Sequence, residues 1–205
     1  MSSVVALDRL LDARRVWRGQ VVSAPSPSNP STGHAMLDAA LPGGGWPAAA
    51  LSEVLTAATG IGELRLLWPT LARLTQANER VVLVAPPHLP YPQAWQDAGI
   101  DLRHLSIIRA QARDALWAAE QCLRSGSCGA VLCWLRQADD RALRRLQVAA
   151  ATGQTLAFAY RPLEEAANPS PAALRLAVES QPARIRVLKC RGGLAPARPI
   201  AAPWH

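Results

Sequence analysis

Lysine is almost missing from this chain: Lys189 stands alone among 22 basic residues, and the rest are arginine. Phenylalanine occurs once and tyrosine twice, against seven tryptophans. The four cysteines, Cys122, Cys128, Cys133 and Cys190, form no C-x-x-C pair, and His34, His88, His104 and His205 are scattered. That spacing excludes the usual zinc patterns and leaves reduced, mostly buried thiols as the expectation, in a cytoplasmic protein. No apolar run approaches the length of a membrane span. Asp8, Arg9 and Asp12 interrupt the first apolar stretch, so no signal peptide is read there.

What is present describes a folded domain. The chain has 205 residues, 50% of them hydrophobic and 18% charged, with a net charge of +7. That is enough length for one real core and too apolar a composition for disorder. A basic surface favours polyanions or acidic partners, and arginine in particular pairs in bidentate fashion with carboxylate or phosphate.

The hydrophobic periodicity divides the chain into four parts. Residues 1–22 contain an amphipathic helix over 4–18, with Val4, Leu7 and Leu11 on one stripe and Leu10, Ala13 and Trp17 repeating the spacing. Arg14, Arg15 and Arg18 crowd its end, where cations suit the helix dipole. Residues 23–31, rich in Pro and Ser, read as a linker. Residues 32–193 form the body, and 194–205, rich in Gly, Pro and Ala, a flexible tail. In the body, apolar runs at 50–56, 80–86, 105–110, 129–135 and 155–160 alternate with helical patterns at 62–77, 92–98, 112–125 and 139–153, with Pro69 expected to bend the first of them. Unbroken apolar strands separated by helices predict an α/β fold with a mostly parallel sheet covered on both faces. "ALRLAVE" and "RIRVLKC" alternate with period two and predict a C-terminal antiparallel hairpin.

Between the first strand and its helix lies "TAATGIGEL", Thr56 to Leu64. Gly60 and Gly62 permit the tight geometry of a phosphate-binding turn. A working P-loop, G-x-x-x-x-G-K-[ST], needs a lysine for the phosphates and a hydroxyl for magnesium. Here those places fall on Gly62 and Glu63, and a carboxylate repels phosphate. An ordinary βα turn explains the stretch equally well.

The wider context, "STGHAMLDAALPGGGWPAAALSEVLTAATGIGEL", resembles the entry to a RecA-type recombinase core. Thr32, Gly33, Leu37, Asp38, Gly43 to Gly45 and Glu53 stand in the matching order. The resemblance runs from about residue 31 to 191 and is nearest to ImuA, the RecA-like accessory family of translesion DNA synthesis. The cell-division inhibitor SulA is similar in the same way. The resemblance implies a RecA-like core with a tethered N-terminal helix. Carried over residue by residue, the ATPase positions are lost: lysine and hydroxyl at Gly62 and Glu63, the catalytic carboxylate at Pro86-Pro87, the Walker B aspartate at Trp134. Phosphoryl transfer depends on such groups, so the chain is expected to be no enzyme and to bind no cofactor or metal. An unusual active ATPase is the least favoured reading.

The ImuA resemblance implies a non-catalytic adaptor in the DNA-damage response. Its partners would be the polymerase-like protein ImuB and RecA, and indirectly an error-prone polymerase and the sliding clamp. Weak DNA binding and self-association stay open. The SulA resemblance implies instead an inhibitor that binds the division protein FtsZ. Candidate partner-binding residues are Leu7, Leu11, Arg14, Arg15, Trp17 and Arg18 in the first helix. Arg184, Arg186, Arg191 and Arg198 form a second group, with Trp204 as an unpacked aromatic anchor. Arg136, Arg141, Arg144 and Arg145 read as a solvated helix face. Arg161, opposed by Glu164 and Glu165, reads as part of a loop poorly suited to DNA.

Overall fold

The structure, a computed structural model, describes residues 29–202 and 204. The expected helix at 4–18 and most of the linker therefore lie outside the described residues. The first element is a short helix, α1 (Ala35–Ala40). The chain then alternates: β1 (Leu51–Thr56), a 3-10 turn at Glu63–Leu66, α2 (Trp68–Gln76), β2 (Val81–Val84), α3 (Pro92–Asp97) and β3 (Leu105–Ile108). There follow α4 (Ala112–Arg124), β4 (Ala130–Trp134), α5 (Asp140–Gly153) and β5 (Leu156–Pro162). A 3-10 turn at Leu163–Ala167 leads to β6 (Leu174–Ser180), β7 (Ala183–Cys190) and β8 (Ile200–Ala201).

These strands make one eight-stranded sheet in the order β3-β2-β4-β5-β1-β6-β7-β8. Pairings from β3 through to β6 are parallel, whereas β7 runs antiparallel to both β6 and β8. The expected mostly parallel core closed by a C-terminal hairpin is thus corrected to a mixed sheet with three C-terminal strands. β8 comes from the stretch read as a loose tail. Two residues are too few to show a period, and only their pairing with Arg184 and Ile185 makes them a strand.

The two faces of the sheet carry different cores. Along each strand successive side chains point to opposite faces. On the face of α1, α2 and α3 lie large residues: Leu37, Trp46, Leu66, Leu71, Trp95, Phe158, Leu176 and Ile185 among them. Trp46 is fully buried, meets Phe158 edge-on at 5.0 Å, and its Nε1 donates to Thr70 Oγ1 at 2.8 Å. The face of α4 and α5 is built from small residues, with Ala115, Ala119, Ala149, Ala150, Ala157 and Ala159 around Leu123, Leu143 and Leu146. Asp139 caps α5, accepting from the Ala142 N–H at 2.7 Å.

Two local readings change. Pro69 does not bend a long helix. The 3-10 turn ends before it, and Pro69 sits in the first turn of α2, where a missing N–H costs nothing. The Thr32-Gly33 pair is explained by packing: Gly33 has φ +86, and a Cβ there would stand 2.3 Å from Pro69 Cβ. Asp38 secures the same turn, accepting from Ser31 Oγ at 2.6 Å and from the Thr32 N–H at 2.8 Å. Burial pushes its carboxyl up, but these hydrogen bonds together hold it below the ordinary value.

Candidate functional site at the carboxyl edge of the sheet

In a parallel sheet the loops beyond the carboxyl ends of the strands form the usual binding crevice. Here that edge gathers the turn after β1, the end of β4, the end of β5 and Trp204 beyond β8. Gly60 and Gly62 are left-handed, with φ +83 and +98. Their freedom lets the chain fold back so that the Gly60 N–H donates to Glu63 Oε1 at 3.0 Å. Glu63 is 4% exposed, so its carboxylate fills the turn from within.

Beneath it lie the aromatic ends of two strands. Trp134 stacks on Tyr160 with ring centroids 4.8 Å apart and planes 9° apart. Tyr160 is buried, which pushes its phenol well above the ordinary value, and the negative charge of Glu63 pushes it further. Trp204 is not an unpacked anchor. A Cβ on Gly62 would lie 2.9 Å from its Nε1, and its ring meets His34 edge-on at 5.9 Å. With His34, Arg65, Trp68, Pro69 and Ala98 it lines an open groove of about 550 Å³.

On the α4–α5 face of the same edge is a buried ionic network. Glu53 is completely buried and lies directly beside Arg175 in the β1–β6 register. Its Oε1 accepts from Arg161 Nη1 at 2.8 Å, and its Oε2 is 2.7 Å from Arg175 Nε. The second contact is an ion pair rather than an aligned hydrogen bond. Arg161 also donates to Ala138 O and pairs with Glu165, and Arg175 donates to the carbonyls of Glu165, Ala166 and Asn168. The two arginines therefore tie the turn at Leu163–Ala167 onto the sheet. Arg161, read from sequence as a loop cation, is a buried strand residue.

The remaining sequence candidates scatter. Arg184 and Arg186 project from the outer face of β7, Arg186 pairing with Glu179 at 2.7 Å. Arg191 and Arg198 are exposed. Leu7, Leu11, Arg14, Arg15, Trp17 and Arg18 lie outside the described residues. Tyr160 and Arg175 were missed, since each sits in a strand whose pattern reads as core. Among the described residues there is no group of three or more His, Cys, Asp or Glu placed to hold a metal, and no helix is long and apolar enough to cross a membrane. Burial pushes the Cys133 thiol up to about 12.

This is an α/β protein with a mixed sheet whose carboxyl edge is filled by its own side chains. A protein-family model described as "Cell division inhibitor SulA" matches residues 50–157, from the residue before β1 to the second residue of β5. That is more than half of the chain, and the chain belongs to the SulA family. A curated relative, the cell division inhibitor SulA of Edwardsiella piscicida, is 30% identical over 100 residues, covering 48% of this chain and 60% of that protein. The match thus spans less than two thirds of that relative. The crystal structure of SulA from Pseudomonas aeruginosa shares 30% identity, covers 57% of this chain and 99% of its own, and superposes with a TM-score of 0.47.

The family match overturns the ImuA reading. With it fall the translesion-synthesis adaptor, its RecA-like core, and ImuB and RecA as partners, together with the polymerase and clamp reached through them. Of the residues that carried that reading, Thr32, Gly33, Leu37, Asp38 and Gly43 to Gly45 lie outside the matched span 50–157, and Glu53 lies within it. The family is described as a cell division inhibitor. A RecA-type ATPase ancestry for Gly60, Gly62, Glu63 and Trp134 finds no support in these matches.

Proposed function

We propose that this chain inhibits cell division by binding the division protein FtsZ in the cytoplasm, as a stoichiometric and non-catalytic partner. The observation that carries this is the family match across β1 to β5. No nucleotide chemistry enters the reading. Glu63 turns a carboxylate into the turn where a phosphate would sit, and Trp204 covers Gly62. The N-terminal segment of residues 1–22, joined through 23–31, is proposed as an additional docking element through Leu7, Leu11 and Trp17, with Arg14, Arg15 and Arg18. The exposed Arg184, Arg186, Arg191 and Arg198 are proposed to meet acidic surface on the partner.

The test is sedimentation of FtsZ polymers with parallel measurement of FtsZ GTP hydrolysis. Both are expected to fall in proportion to added chain and to vanish near equimolar amounts. Unchanged polymer at a clear molar excess rejects the reading. Deleting residues 1–22 should raise the concentration needed for inhibition, and an unchanged requirement removes that segment from the interface.

A further inference from the structure

Among the buried polar atoms with no hydrogen-bond partner are Glu63 Oε2, the Tyr160 hydroxyl and, at the groove, Trp68 Nε1 and Trp204 Nε1. Such atoms are rare in folded proteins and each carries a desolvation cost. Glu63 and Tyr160 are both more than nine-tenths buried. The Glu63 carboxylate has satisfied only one oxygen, through Gly60. The Tyr160 phenol stays protonated, and its oxygen keeps acceptor capacity. Beside them Trp134 lies flat on Tyr160 and is itself only half buried.

We propose that Glu63, Tyr160 and Trp134 form a binding site for a planar cation, the guanidinium of an arginine side chain presented by a protein partner, and that Trp204 closes this site in the free chain. The chemistry selects the ligand. An anion is repelled by the carboxylate, and a neutral apolar group leaves Glu63 Oε2 unpaired. A guanidinium brings several N–H donors in a fixed fork to meet Glu63 Oε2, and stacks on an indole face, which a compact ammonium does less well.

Trp204 is placed to act as the closure. It lies against Gly62, the residue before Glu63, with its own N–H unpaired. The strand leading to it is held by two residue pairs, Arg184 with Ala201 and Ile185 with Ile200. The site stands whichever protein supplies the arginine.

The test uses methylguanidinium chloride, titrated against sodium chloride at equal ionic strength, with the Trp134 indole resonance followed by NMR. In Trp204→Ala the resonance should shift saturably, at a concentration at least about tenfold lower than in the unaltered chain. Adding Glu63→Gln, which keeps the size and the acceptor for Gly60, should abolish saturation. Absence of a saturable shift in Trp204→Ala overturns the proposal. So does a shift that survives Glu63→Gln, or an equal response to methylammonium. Should Trp204→Ala lose its dispersed amide spectrum, Trp204→Leu, which keeps apolar bulk against Gly62, decides by the same criteria.

Discussion

Under α4 and α5 the sheet is covered by helices, and beyond them, over β1, β5 and β6, the same face is covered by a turn. The contrast shows what each kind of cover demands. A helix brings its own satisfied backbone, so its contact can be wholly apolar, and the alanines of β5 and α5 let it approach closely. A turn brings unpaired carbonyls. Arg175 answers these carbonyls, Arg161 pairs with the Glu165 side chain of the turn, and Glu53 neutralises the arginines. Further out, on β7, no cover exists and the arginines face water.

The largest expected effect breaks the covered-by-a-turn region at its centre. Glu53→Ala leaves buried Arg175 without a counter-charge and Arg161 with Glu165 alone, and should destabilise by about 3–5 kcal/mol, measured by denaturant unfolding. A loss under about 1 kcal/mol would mean that water or the turn's own carbonyls already hold the arginines. The helix-covered region should respond more mildly, and to size rather than charge. Ala149→Leu forces extra volume between α5 and the sheet, with an expected cost of about 1–3 kcal/mol. A neutral result would show that α5 can shift outward and that the close approach is not required. The smallest effect is expected on the open strand. Arg186→Ala removes an exposed pair with Glu179 and should change stability by less than about 1 kcal/mol, the difference shrinking further in high salt. A cost equal to that of Glu53→Ala would erase the distinction between the two regions.

The turn after β1 shows the limit of reading a site from spacing. Gly60, Gly62 and Glu63 were visible as a phosphate-loop shape with the wrong residues. What packs against the turn was not visible, because Tyr160 lies in β5 and Trp204 beyond β8, both distant in sequence. The same holds for the ion network. Glu53 and Arg161 are 108 positions apart, and nothing local to either marks the other. The ImuA resemblance rested on a turn, a Gly-rich loop and a strand, features too short to specify one family.

By itself the sequence determined the alternation of elements. Continuous apolar runs such as "VVLV" must be buried on both faces, and the 3.6-residue stripes of α4 and α5 must face them. It also determined that the turn after β1 is tight, since glycine tolerates the left-handed backbone found there. Tertiary structure alone decided the strand order, the recruitment of Ile200–Ala201 into the sheet, and the burial of Glu53, Glu63, Arg161 and Arg175. A strand of two residues exists only through its neighbour's hydrogen bonds, and a buried charge is tolerable only where the fold delivers its partner.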